Sequence, residues 1–121
     1  MTQATPIRTT PIRVFLVDDQ TLVRQGIRSL LALAEGIEVV AEASDGRQAV
    51  EQIPGISPDV VLMDMRMPVM SGLEALQAMS RTGTLPPTII LTTFDDDALV
   101  LAGIKAGAKG YLLKDVSLEQ L

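Results

Sequence analysis

Asp59-Val60-Val61-Leu62-Met63-Asp64 sets four consecutive apolar residues between two acids. An apolar run without polar alternation marks a strand covered on both faces, as strands are in the parallel sheets of α/β proteins. Three other runs share this design: Val14-Phe15-Leu16-Val17 before Asp18-Asp19, Ile89-Ile90-Leu91 before Thr92, and Tyr111-Leu112-Leu113 before Lys114. As parallel strands of one sheet, they bring their carboxyl ends to one edge, where open α/β folds build their sites. Asp18, Asp19, Asp64, Thr92 and Lys114 then converge on one small volume. Three carboxylates, a hydroxyl and an ammonium are equipment for holding a divalent cation and a phosphoryl group.

Between the runs the period becomes helical. A strand over 12–17 precedes a helix over 21–33, in which Val23, Ile27, Leu30, Leu31 and Ala34 recur at helical spacing and Gly36 ends the segment. A second strand covers 38–42, and Ser44 starts a helix that Pro54 closes. After the strand at 59–63, Ser71 and Glu74 form a capping-box pair. Pro86-Pro87 lead into a strand over 88–92, and Asp95-Asp96-Asp97 then open a helix to about Ala106, where acids suit the macrodipole and read as capping. A fifth strand covers 109–113, and Ser117 with Gln120 begin another helix that is cut off one turn later. One turn buries no useful face, so the natural protein is expected to continue. Residues 1–11 read as a flexible leader and 12–121 as one doubly wound α/β domain.

Composition narrows the chemistry. At 121 residues and 47% hydrophobic, with one Tyr, two Phe and no Trp, the chain has material for a single aliphatic core. Met63, Met65, Met67 and Met70 are expected to fill gaps in it. With no Cys and no His, disulfides, thiolate or imidazole metal sites and a Ser-His-Asp triad are excluded. The net charge of −5 argues against direct nucleic-acid contact by this segment. The sequence has neither an apolar stretch near the ~20 residues of a bilayer span nor a signal-peptide start. A soluble, cytoplasmic protein with no membrane contact is expected.

The stretches Leu16-Val17-Asp18-Asp19, Asp64-Met65-Arg66-Met67-Pro68-Val69-Met70-Ser71-Gly72, Leu91-Thr92-Thr93 and Gly107-Ala108-Lys109-Gly110-Tyr111-Leu112-Leu113-Lys114 resemble the receiver domain of two-component response regulators. The wording Leu91-Thr92-Thr93-Phe94-Asp95 and Leu112-Leu113-Lys114-Asp115 is similar to the NarL/FixJ-type subgroup. The resemblance covers residues 13–121 and implies a flavodoxin-like sheet of strand order 2-1-3-4-5. It makes Asp64 the phosphoacceptor, served by a sensor histidine kinase. Asp18 and Asp19 become the acidic pair that holds Mg2+, with Asp19 the direct ligand and Asp18 acting partly through water. Asp64 and the backbone carbonyl of Arg66 complete the protein ligands. Thr92 resembles the switch hydroxyl, Lys114 the lysine that pairs with the phosphoryl group, and Tyr111 the aromatic that moves when the switch closes. The surface of the fourth helix and fifth strand would change with phosphorylation. Members of the subgroup usually carry a C-terminal helix-turn-helix DNA-binding domain, so the implied output is transcription; a homodimer is an open alternative.

The residues themselves agree with that chemistry. A carboxylate approaching an anionic phosphoryl group is repelled, and a hard cation held by oxygen ligands removes the repulsion. Arg66 and Phe94, two residues beyond Asp64 and Thr92, are expected to rim the pocket, with Phe94 hindering water. Many receivers have Pro after the lysine, whereas Asp115 follows Lys114 here. Two other readings stay open. One is a magnesium-dependent phosphatase with Asp64 as transient nucleophile, although Arg66 stands where a second acid would be needed. The other is an interaction module that keeps the fold without the chemistry.

Overall fold

The apolar runs pair as parallel strands. The computed structural model describes residues 10–93 and 96–114. Strands β1 (Ile12–Val17), β2 (Ile37–Ala43), β3 (Val60–Asp64), β4 (Thr88–Thr92) and β5 (Gly110–Leu113) form one sheet in the order β2-β1-β3-β4-β5. Four helices connect them: α1 (Thr21–Ala32), α2 (Gly46–Ile56), α3 (Gly72–Thr82) and α4 (Asp97–Lys105). This is the strand order the resemblance implies. The chain leaves β1 toward β2 on one side and later returns to β3 on the other, so a crevice opens beyond the carboxyl ends of β1 and β3.

Strand alternation divides the core between the two faces. Phe15, Val17, Val61 and Met63 point to one side and pack with Ala49 and Ile53 of α2 and with Ala75 and Met79 of α3. Val14, Leu16, Leu62 and Leu91 point to the other and pack with Ile27 and Leu31 of α1. A third cluster, Met65, Leu76, Ile90 and Ala108, extends the first face toward α4. Met63 and Met65 are buried, while Met67 and Met70 pack half-buried against the α2–α3 side, in keeping with gap-filling in an aromatic-poor core.

Several boundaries move from their sequence-based positions. α2 is capped by Asp45, whose side chain accepts from the Gln48 amide, and not by Ser44. Ser44 instead donates its amide to Gln48 Oε1. Pro54 lies inside α2, which runs on to Ile56 before Ser57 turns left-handed at φ 50°. A proline in a last turn removes only one backbone donor, so the helix survives it. α1 stops at Ala32, and Gly36, at φ 81°, serves the turn into β2. The Ser71–Glu74 capping box is present in full. The second capping box, Ser117 with Gln120, the residue Asp115 and most of the leader lie outside the described residues, as does Phe94.

Two helix-start glycines fix the loop that follows β3. A Cβ on Gly72 would collide with the Asp64 carbonyl oxygen and lie 2.8 Å from Met65 Cα, both immovable backbone atoms. The Gly72 amide donates to the Met65 carbonyl at 3.1 Å. Similarly, Gly46 of α2 sits against the carbonyls of Met70 and Ser71 and donates to the former. The loop also carries a tight turn in which the Met70 amide donates to the Pro68 carbonyl at 2.7 Å, with Val69 held at φ 67°. This γ-turn geometry is strained for a β-branched residue. Gly26, in contrast, faces open space inside α1.

These two kinds of glycine give opposite expectations. Gly72→Ala should destabilise the protein by about 3 kcal/mol, because backbone must shift on both sides. Gly26→Ala should stabilise it by about 0.5–1 kcal/mol through helix propensity alone. Urea denaturation of the two variants beside the wild type checks both signs.

Candidate functional site

Four of the five strand ends deliver a polar group to the crevice. Asp18 follows β1 and is fully buried, Asp64 is the last residue of β3, Thr92 the last of β4, and Lys114 follows β5. Oxygens of Asp18, Asp19 and Asp64 lie within 4.8 Å of one another. Lys114 Nζ stands 3.0 Å from Asp64 Oδ2 and 3.1 Å from Asp18 Oδ2, so one ammonium bridges two buried carboxylates. A lone lysine near a strand end is ordinarily solvated; this one is only 9% exposed.

Local structure holds these groups before any ligand arrives. Asp18 Oδ1 accepts from the Gln20 amide at 2.8 Å, and the Asp18 backbone carbonyl accepts from Arg24 Nη1 at 2.6 Å. Arg24, on α1, is itself held by Glu42 of β2 at 3.0 Å. Gln20 Oε1 accepts from Lys114 Nζ at 3.2 Å. Nothing in the sequence marks Gln20 or Arg24. A polar residue two positions past an acid and an arginine one helical turn into α1 are common, and neither carries a local signal. Asp64 Oδ1 receives the Arg66 amide at a long 3.4 Å.

Charge balance is incomplete. Two buried carboxylates share one ammonium, and Asp18 Oδ2 has no partner besides it among the described residues. Burial, the largest influence, pushes the Asp64 carboxyl up to about 6, against the pull of Lys114 and with a smaller push from Asp18. Burial alone would lower the Lys114 ammonium, yet Asp64 and Asp18 outweigh it and hold the group above its ordinary value. A hard cation fits such a donor set: the ligands are all oxygens, they lie close together, and the two buried ones share a single ammonium. The acidic pocket can therefore hold a metal.

A cavity of about 190 Å3 opens over the cluster, lined by Asp19, Asp64, Arg66, Thr92, Asp96 and Lys114 among others. Thr92 is 3% exposed, and its hydroxyl donates to the Thr93 carbonyl at 3.3 Å. Tyr111 is not brought into this cavity. It is 54% exposed and lines a separate groove with Leu101 and Ile104 of α4 that reaches Thr92 from outside. The acidic run before α4 also departs from expectation. Asp96 occupies the N-cap position without capping, and its carboxylate grips Arg66 instead, Nε to Oδ2 at 2.9 Å and Nη2 to Oδ1 at 2.6 Å. That guanidinium holds the Asp96 carboxyl below its usual range. Arg66 does rim the pocket, as its spacing from Asp64 predicts.

The profile of the response regulator receiver domain matches residues 14–121. The nitrate/nitrite response regulator protein NarP of Escherichia coli (strain K12) is 49% identical over 112 residues, which are 93% of this chain and 52% of that protein. The transcriptional regulatory protein LnrK of Bacillus subtilis (strain 168) is 42% identical over 110 residues, 91% of this chain and 50% of that one. The signal receiver domain of the putative response regulator NarL from Mycobacterium tuberculosis superposes with a TM-score of 0.82 at 37% identity, covering 88% of this chain and 86% of that one. The chain spans about half the length of the relatives it matches in sequence. Among the described residues, no helix is long and apolar enough to cross a membrane.

The raised Asp64 value carries a stability consequence with a definite sign. A carboxyl that binds its proton more tightly when folded favours the fold fully below the unfolded value of 3.8, and that contribution is lost as pH rises through about 6. In metal-free buffer at pH 7.5, Asp64→Asn should therefore be more stable than wild type by about 2 kcal/mol, Lys114 keeping Asp18 as partner. The gap should close between pH 6 and pH 4. Urea denaturation in EDTA across that range measures it.

Proposed function

The chain belongs to the receiver domain family of two-component response regulators, with relatives of the NarL and LuxR type, and on that premise we propose that it is a phosphoryl-accepting switch centred on Asp64. The observation that carries this reading is the Lys114 ammonium held within 3.1 Å of both Asp18 and Asp64 in a buried pocket open to an incoming group. A structural salt bridge needs one carboxylate; a second and a third are costly unless a cation and a phosphoryl group use them.

Each residue then has a task. An oxygen of Asp64 attacks the phosphorus of a phosphohistidine on a sensor kinase; the new O–P bond forms as the P–N bond breaks and its electron pair returns to the imidazole. The product is an acyl phosphate on Asp64. Lys114 exchanges its ion pair with Asp64 for one with a phosphoryl oxygen, which keeps its charge compensated throughout. Thr92 donates its hydroxyl to another phosphoryl oxygen once it releases the Thr93 carbonyl. Asp18, Asp19, Asp64 and the Arg66 carbonyl would hold Mg2+, which supplies screening of the negative charge that accumulates between nucleophile and phosphoryl group. Catalysis is otherwise positioning, done by the strand ends and by the loop that Gly72 and Gly46 clamp.

The output lies in the groove between α4 and β5. Movement of Thr92 toward the phosphoryl group vacates the space on its outer side, and Tyr111, now exposed at the far wall of that groove, turns inward to fill it. The relatives' names, transcriptional regulatory and response regulator proteins about twice as long, support a C-terminal DNA-binding domain as the recipient of that change in a cytoplasmic regulator. Residues 12–121 would act as the receiver unit, and pairing of two copies is compatible with it.

Incubation with acetyl phosphate and Mg2+, followed by intact-mass measurement, tests the reading. The wild type should gain one phosphoryl group, and Asp64→Asn, EDTA or Lys114→Met should each abolish or sharply reduce the gain. A folded, magnesium-replete wild type that stays unmodified would sink it.

A further inference from the structure

The Arg66–Asp96 pair has no part in that account, yet it stands at the mouth of the pocket. Its two residues are shared walls of the site cavity and of a neighbouring cavity of about 470 Å3 bounded by Ala98, Leu99 and Ala102 of α4. Arg66 is tethered two residues beyond Asp64, and its own amide donates to Asp64 Oδ1. Its guanidinium is 71% exposed and lies flat against one carboxylate in a two-point contact. Such a fork fits a phosphoryl group at least as well, because that group offers three oxygens and more charge than a carboxylate.

Asp96 has a competing use. It occupies the N-cap position of α4, where an aspartate side chain ordinarily accepts from the amides of the first turn. Its backbone, at φ −105° and ψ 42°, is outside the extended region such caps adopt, and no cap bond forms. The other acidic N-cap, Asp45 of α2, has extended backbone and a cap bond to the Gln48 amide. Asp96 therefore forgoes its cap while it holds Arg66. It also accepts from the Thr93 hydroxyl at 3.3 Å, which ties the pair to the end of β4.

We propose that Arg66 is a second phosphoryl-directed cation of this pocket, held in reserve by Asp96, and that its transfer from Asp96 to the phosphoryl oxygens reports phosphorylation to the amino end of α4. Released, Asp96 swings back to cap α4, and the start of that helix is reset. Asp96 is in this sense a positioning residue; it touches no reacting atom. The route does not use the Thr92 hydroxyl; it reaches α4 through its N-cap residue. It rests on the reading of Asp64 as phosphoacceptor.

The test uses beryllofluoride with Mg2+ as the phosphoryl mimic, with binding followed by fluorine NMR on the whole chain. Asp96→Asn and Asp96→Ser can both cap a helix but cannot hold the guanidinium as an ion pair. Each should bind the mimic about threefold to fivefold more tightly than wild type, the measure of an exposed ion pair no longer to be broken. Arg66→Gln should bind it about tenfold more weakly. In the Arg66→Gln background, Asp96→Asn should have no further effect, and this coupling is what a merely structural role for Asp96 would not produce. Hydrogen exchange of the first α4 amides should slow on binding in wild type and not in Arg66→Gln. Equal affinity of wild type and both Asp96 variants, or an Asp96 effect undiminished without Arg66, overturns the proposal while leaving the phosphoacceptor reading intact. Absence of mimic binding by folded wild type overturns both.

Discussion

One ammonium between two buried carboxylates is the constraint on which the rest depends. Lys114 reaches Asp18 and Asp64 only because β1, β3 and β5 run parallel and end at the same edge. The arrangement leaves one negative charge more than the ammonium can satisfy, and burial pushes Asp64 up to about 6. Such a cluster works against folding in the absence of a ligand, since removing carboxylates from water costs more than partial pairing returns. A cation could complete the charges of such a pocket. The aliphatic sheet around it, packed on both faces, offsets the penalty.

Backbone geometry supplies the precision that the charged groups lack. Gly72 and Gly46 let two helix starts press against the loop after β3, closer than any side chain would allow. The same loop contains Val69 in a left-handed γ-turn with its side chain in solvent, a strained conformation that the neighbouring contacts must maintain. The carbonyls and amides around Asp64 are thereby held in place before ligand arrives, and Arg66 leaves the loop aimed at α4. The rim of the pocket is thus a rigid loop on one side and the exposed Arg66–Asp96 ion pair on the other.

Much of this was legible in the chain. Four of the five strands, all but β2, announce themselves as apolar runs ending on a polar residue, and the absence of alternation in Val60-Val61-Leu62-Met63 identifies burial on both faces. Because strands of a parallel sheet end at one edge, Asp18, Asp19, Asp64, Thr92 and Lys114 could be grouped before any distance was known. What escaped was of two kinds. Neighbouring candidates compete at helix starts: Ser44 and Asp45 both suit a cap, and only the backbone decides for Asp45. Long-range partners leave no local trace: Asp96 looked like one acid of a capping run, but a guanidinium thirty positions earlier in the chain takes its carboxylate. Tyr111 is exposed because β5 lies at the end of the described sheet, where burial depends on what stands beside it and not on strand propensity.

Under the proposed function, a divalent cation completes the uncompensated carboxylates of Asp18, Asp19 and Asp64. The most direct measurement is the unfolding free energy of metal-free protein at pH 7.5 as Mg2+ is added, against sodium chloride at matched ionic strength. Binding to the folded state alone predicts a stabilisation that grows with the logarithm of Mg2+ concentration, reaching about 2.7 kcal/mol at a hundredfold excess over the dissociation constant. Stability that rises no more with Mg2+ than with sodium chloride would contradict it.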